Sequence, residues 1–121
     1  MSEKDKAIEI LMGVVNDDVH KVYEKHISDN FVHHNPYFKS DKASLLAGMV
    51  KSNEHHPNKV VTTKNVITEL PFVVILSHVR ITDDLEAAIT HIFRFENGKV
   101  SELWDISQMI PADMVNEKGM F

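Results

Sequence analysis

The chain has 121 residues with 43% hydrophobic content, which fits a single domain (1–121) with one core and leaves no room for a second domain. Its 18 acidic and 13 basic residues give a net charge of -5, and no run of Lys or Arg with interleaved aromatics occurs, so nucleic acid is a disfavoured partner. The sequence contains no cysteine, which excludes disulfides, thiolate nucleophiles and thiolate metal sites.

The first thirty residues predict two helices that pack as a hairpin. The first helix begins near Glu3 and ends at the turn-prone residues 16–18; the second is capped by Asp17 or Asp18 and ends before residues 28–30. Their apolar stripes are Ile8, Leu11, Met12 and Val15, then Val19, Val22, Tyr23 and Ile27. The polar start has no signal-like apolar segment, and no long apolar span follows. We therefore expect a soluble, cytoplasmic protein without a membrane partner.

An extended segment and a third helix follow. Phe31 to His34 runs into Asn35-Pro36, where proline moves the preceding residue out of helical space. Ser40 is the expected cap of the third helix, and 55–58 is the expected loop after it. The apolar positions of this helix are Leu45, Leu46, Met49 and Val50.

Residues 59–108 predict four long antiparallel strands. They are the β-branched runs 60–68, 72–81, 86–95 and 99–108. Asn97-Gly98 between the last two predicts a two-residue type I′ turn, which fixes the register of both strands. Helices first and a meander afterwards are typical of an α+β fold with the helices on one face of a curved, mainly antiparallel sheet.

The segment 72–76 is apolar at both parities, so both faces of its strand require cover. Three helices can cover only one face, which predicts a two-fold homodimer packed sheet against sheet. The tail 111–121 has too few periodic positions for a stable helix, so its order is expected to come from packing. It would either close a pocket partly or brace the dimer.

A resemblance to a known family becomes specific at this point. The helix pair followed by His33-His34-Asn35-Pro36, the hairpin 91–100 and then Trp104-Asp105 resembles the SnoaL-like polyketide cyclases of the nuclear transport factor 2-like superfamily, over nearly the whole chain. The resemblance implies a cone-shaped half-barrel with a pocket at its open end, no cofactor, and dimerisation through the convex sheet face. Relatives include cyclases that perform aldol condensations, ketosteroid isomerases, epoxide hydrolases and non-catalytic binding modules.

The resemblance makes Asp105 the main catalytic candidate. In the cyclases and epoxide hydrolases, an aspartate seven residues past the hairpin glycine faces the cavity as acid or base, and Gly98 to Asp105 has that spacing. An apolar cavity disfavours the charged form of a carboxylate and so suits it to proton transfer near neutral pH. The alternative is a strand aspartate that faces solvent or pairs with Arg94. The alternation of side chains along the strand does not decide between these two positions of Asp105, because Val100, Trp104 and Ile106 make the opposite face the more apolar one.

Other candidates surround this aspartate. His33 could be a base or a donor, and Asn35 could orient a carbonyl or a water. His78 is expected to face the pocket as a third catalytic candidate, and Arg80 could pair with Asp105, bind an anionic group or lie at the rim. If their face is the convex one, both belong to the dimer seam instead. His91 is either catalytic or a core histidine; relatives often carry aspartate there, and Leu103 replaces a histidine. The substrate-binding candidates are Asn35, His91, Arg80, Leu103, Phe93 and Tyr23.

These residues predict a cofactor-independent enzyme of cyclase, aldol or isomerase type that acts on a small carbonyl-bearing or apolar molecule. One alternative is a binding or partner-docking module with the same pocket. Another is a hydrolase in which Asp105 activates water and Asn35 positions it. The eight histidines form no motif of the H-E-x-x-H kind, so no metal site is predicted.

Overall fold

The computed structural model describes residues 1–121. Three helices are present: α1 (Glu3–Val15), α2 (Val19–His26) and α3 (Lys42–His55). Five strands accompany them: β1 (Ile27–His34), β2 (Val60–Glu69), β3 (Phe72–Thr82), β4 (Leu85–Glu96) and β5 (Lys99–Met109). No helix combines the length and the apolar character that a membrane span requires.

Helix α3 begins one residue later than the sequence predicted. Its N-cap is Asp41, whose side chain accepts a hydrogen bond from the backbone N–H of Ser44 at 2.9 Å. Hydrogen bonds from Ser44 lower the pKa of Asp41, because they stabilise the carboxylate form. The predicted cap, Ser40, is wrong because its carbonyl oxygen is already engaged with the backbone N–H of His33 on β1.

The sheet has the strand order β1-β5-β4-β3-β2. Strands β2 to β5 form the predicted antiparallel meander, while β1 pairs parallel with β5. Strand β1 begins at Ile27, earlier than the predicted Phe31, because α2 ends at His26 and Ile27 pairs with Val100. The first and last strands are therefore neighbours, and they bring Asn35 close to the middle of β5.

All three helices pack on one face of the sheet. The β3 residues on this helix-covered face, Val73, Ile75, Ser77 and Val79, are buried. They join one core cluster with Ile10, Leu11, Val22, Leu45 and Phe93, among others. The opposite face, called here the open face, has no helix against it. The predicted α+β arrangement of helices on one face of a curved sheet is confirmed.

A β-bulge changes the alternation of β5. Asn97 and Gly98 have φ angles of 53° and 80°, as a type I′ turn requires. Beyond the turn Phe95 pairs with Val100 but Arg94 pairs with Glu102, so Ser101 is an extra residue on β5. A regular hairpin would place Asp105 opposite Thr90, whereas the bulged register pairs Asp105 with His91.

The tail after β5 crosses the open face without forming a helix or strand. The N–H of Ile110 donates to the carbonyl of Glu86 at 2.9 Å. Further on, the ring of Phe121 lies 5.1 Å from that of His78, and Lys64 Nζ lies 5.3 Å from the Phe121 ring centroid. Packing therefore orders the tail, as predicted. It does not line the cavity beneath the helices, so the first predicted alternative, partial closure of that pocket, does not apply, and bracing of the dimer stays a prediction.

Candidate active site between the helices and the sheet

A cavity of about 40 Å³ lies between the helices and the helix-covered face of the sheet. The helices line it with apolar side chains and one tyrosine, namely Ile10, Leu11, Val14, Tyr23, Leu45 and Met49. The sheet lines it with His91 and Phe93 from β4 and with Leu103 and Asp105 from β5. Asp105 and His91 are thus the only ionisable groups besides Tyr23 in a mainly apolar lining.

The carboxylate of Asp105 is held by neutral groups. Its side chain is 14% exposed, and Oδ2 accepts a hydrogen bond from Asn35 Nδ2 at 2.9 Å. The other oxygen, Oδ1, lies 3.7 Å from His91 Nε2. No lysine or arginine lies within 4.0 Å of the carboxylate. Its negative charge consequently has no cationic partner.

His91 is kept neutral by its surroundings. Burial lowers its pKa below the ordinary value of 6.5, because desolvation disfavours the imidazolium, although the nearby Asp105 carboxylate acts in the opposite direction. Its Nδ1 atom is buried without a hydrogen-bond partner. The tautomer with its proton on Nε2 therefore has the lowest free energy, because it leaves an unpaired lone pair at the buried Nδ1 instead of an unpaired N–H. In that tautomer His91 directs its N–H towards Asp105.

Tyr23 supplies a hydroxyl donor from α2. The residue is 4% exposed. Burial raises the pKa of its phenol strongly, and the negative charge of Asp105 raises it further. Tyr23 therefore stays protonated at any physiological pH, and its O–H can donate a hydrogen bond to a developing negative charge.

The turn after β1 fixes the orientation of Asn35. Its Oδ1 accepts a hydrogen bond from the backbone N–H of Tyr37 at 3.0 Å, so the side-chain amide is left to donate to Asp105. The backbone N–H of Asn35 donates to His33 Nδ1 at 3.0 Å. Because β1 pairs with β5, the turn that follows His34 reaches Asp105 directly.

His33 lies on the helix-covered face but does not line the cavity. Its Nδ1 accepts from Asn35, and its Nε2 donates to the carbonyl of Lys39 at 2.5 Å. With both ring nitrogens engaged, the ring supports the turn that carries Asn35. The structure thus places His33 behind Asn35 and outside the cavity lining.

His78 and Arg80 lie on the open face, so the prediction that they face the pocket is wrong. Ile75 pairs with His91, and side chains alternate along β3, which turns the even-numbered residues away from the cavity. His78 Nε2 contacts Glu86 Oε1 at 2.8 Å, and Arg80 Nε lies 4.0 Å from the same oxygen. Neither side chain can pair with Asp105.

Sequence reasoning missed the helical wall of the cavity. Leu45 and Met49 were identified only as apolar positions of the third helix, and Ile10 was not singled out. Their helical spacing predicts a buried stripe but does not tell core positions from cavity positions. Four larger concavities, of about 160, 250, 330 and 430 Å³, are open surface grooves that contain neither Asp105 nor His91.

No protein-family model matches the sequence, and no curated protein matches it. Several solved structures are similar. AclR, a candidate hydroxylase from Streptomyces galilaeus, has a TM-score of 0.75 at 20% identity, covering 87% of each chain. IdmH, a candidate polyketide cyclase from Streptomyces antibioticus, has a TM-score of 0.73 at 16% identity, covering 88% of this chain and 93% of that one. A candidate SnoaL-like polyketide cyclase from Jannaschia sp. CCS1 has a TM-score of 0.70 at 16% identity, covering 89% and 90%.

These similarities define the class of fold, a nuclear transport factor 2-like α+β cone. Within that class, the neighbours include SnoaL-like polyketide cyclases, so the resemblance inferred from the sequence is confirmed at the level of the fold. The function is a separate question, because one fold carries many activities and the chemistry depends on the site.

Proposed function

We propose that this chain is a cofactor-independent enzyme of the SnoaL-like type, in which Asp105 moves a proton at the carbon next to a carbonyl of a small molecule. One observation carries the proposal: a carboxylate without a cationic partner lines an apolar cavity. Such a carboxylate is a candidate general base, because it is a proton acceptor placed where it can contact a C–H bond of a small molecule in the cavity.

The neighbouring groups suggest how the reaction would proceed. Asp105 takes a proton from the carbon beside the carbonyl, and the negative charge moves to the carbonyl oxygen of the resulting enolate. The protonated hydroxyl of Tyr23 is the donor available to stabilise that oxygen. The enolate then either attacks a second carbonyl, which is an aldol closure, or takes the proton back at another carbon, which is an isomerisation. The amide of Asn35 orients the carboxylate through its hydrogen bond, and neutral His91 lies beside the other oxygen.

The first step can be tested before any natural substrate is known. Wild-type protein in D₂O should exchange the methyl protons of acetone for deuterium faster than buffer alone, as followed by proton NMR. The Asp105→Asn variant should lose on the order of a hundredfold of this rate or more, because it removes the base but keeps the side-chain size.

The matched control is Asp84→Asn, which makes the same change in the turn between β3 and β4 and should exchange at the wild-type rate. Wild-type exchange no faster than buffer, or unchanged exchange in Asp105→Asn, would contradict the proposal. If acetone binds without exchange, the binding-module alternative is favoured instead. Exchange lost equally in both variants would point to a general effect on folding.

A further inference from the structure

The volume and the charge of the cavity together restrict its ligand further than the proposed function does. We infer that it admits only small uncharged molecules, with Asp105 excluding charged ligands and with Leu45 and Met49 of α3 limiting their size. The inference rests on the site of the proposed function and specifies the class of substrate.

The volume sets the size limit. Pockets that bind drug-sized ligands measure about 300–1,000 Å³, whereas this cavity measures about 40 Å³. That space holds roughly three to four water-sized groups. A ketone as small as acetone fits, while a fused-ring molecule would require the wall to move.

The wall formed by α3 is the part that can change without disturbing the polar groups. Leu45 is 1% exposed, and Met49 is partly buried. Both line the cavity from the helix side, while Phe93 and Leu103 line it from the sheet side. The hydrogen bond from Asn35 to Asp105 does not depend on either side chain. Shortening either side chain should enlarge the cavity and leave Asp105 and its donors in place.

The charges of the lining set the second limit. An anion would have to enter an apolar space beside the Asp105 carboxylate without any cation to offset it, because His91 is neutral there. A cation fares little better. It must give up its hydration to enter, and only one carboxylate in an otherwise mainly apolar lining replaces the lost water. An uncharged molecule avoids both costs.

Three probes of nearly the same shape separate charge from size: acetone, acetate and isopropylammonium have the same number of non-hydrogen atoms. Each is titrated into ¹⁵N-labelled protein at neutral pH, and amide shifts of β4 and β5 are followed by NMR. We expect acetone to bind at least about tenfold more tightly than either ion. In Asp105→Asn, acetate affinity should rise about tenfold, because the like charge is gone.

Size is tested with 1-tetralone, a fused-ring ketone. It should not shift the amides around Asp105 in the wild type but should do so in Leu45→Ala, with Met49→Ala as the second variant in case Leu45→Ala fails to fold. Acetate or isopropylammonium binding the wild type as tightly as acetone would overturn the charge limit. Tight wild-type binding of 1-tetralone would overturn the size limit. Acetone binding without proton exchange would contradict only the proposed function, so the two failures are distinguishable.

Discussion

Asp105 faces one neutral donor at each carboxylate oxygen, an amide from the β1–α3 turn and an imidazole from β4. A cation in either place would hold the carboxylate permanently charged, which would weaken it as a base. The hydrogen bond from Asn35 fixes its orientation without adding a positive charge. The buried imidazole of His91 makes this arrangement sensitive to pH.

We predict that acid destabilises the fold through His91. Because the folded-state pKa of His91 lies below 6.5, the unfolded chain takes up this proton first as the pH falls. The contribution of His91 to stability is therefore complete above 6.5 and is lost below it. Between about pH 7.5 and about pH 5.5, the free energy of unfolding measured in urea should fall more steeply for the wild type than for His91→Gln.

That pH window separates His91 from the carboxylates. The pKa values of Glu9 and Glu102 are lowered, each mainly by a hydrogen bond with a histidine, and both lie below the ordinary 4.5. Their stabilising contributions are therefore lost only at more acidic pH. Equal pH slopes for wild type and His91→Gln between the two pH values would show that His91 is not buried as a neutral ring.

The sequence predicted much of this site but not all of it. Asp105, His91 and Tyr23 were named from the sequence, and they line one cavity. His78 and Arg80 were misplaced because alternation shows which residues of a strand share a face, but not which face the helices cover. Only the cross-strand register, with Ile75 opposite His91, resolves that choice.

Among the secondary-structure elements, the β4–β5 hairpin could also be predicted only in part from the sequence. Its turn was predictable because Asn and Gly tolerate the positive φ angles that a type I′ turn requires. The bulge at Ser101 was not, since no residue type marks a bulge as clearly. It explains why Val100 and Leu103 are both buried although they have opposite parity. The sequence could not assign Asp105 to a face for this reason.

The tail is the second element with a testable role. Removing residues 118–121 takes Phe121 away from His78 and Lys64. We expect the melting temperature to fall by a few degrees, as for the loss of about 1 kcal/mol in a domain of this size. Acetone exchange should stay at the wild-type rate, because the tail lies on the open face.

Calorimetry and the exchange assay check this prediction together, with Phe121→Ala as a milder variant. A tail that acts on the cavity would give the opposite pattern, in which exchange is lost while the melting temperature is unchanged.

For the whole molecule, the open face of the sheet is the surface through which we expect association. Apolar side chains remain exposed there, including Phe72 at 37%, Ile106 at 58% and Ile67 at 62%. Trp104 lies among them, with its ring 6.4 Å from that of Phe72. A contiguous apolar surface of this kind is typical of a protein interface. The dimer predicted from the sequence would bury it.

We predict a two-fold dimer through this face. Light scattering at micromolar concentration should give about twice the 13.8 kDa of one chain, and Ile106→Glu should give monomers, because it places a charge in the apolar interface. Tyr37→Glu, at an exposed position in the β1–α3 loop, is the matched control and should remain dimeric. A wild-type mass of 13.8 kDa would remove the prediction.

The bulge has a consequence at the level of the gene. An in-frame loss of the codon for Ser101 would leave every residue of the cavity encoded and the composition almost unchanged. Without this extra residue the hairpin would be regular, and Arg94 would still pair with Glu102 and Asp105 with His91. Aligned sequences that differ by a single-residue gap at Ser101 can therefore keep the same site, because the gap removes only the bulge. Losing Ser101 alone would thus shorten β5 without shifting the strand pairing on either side of it.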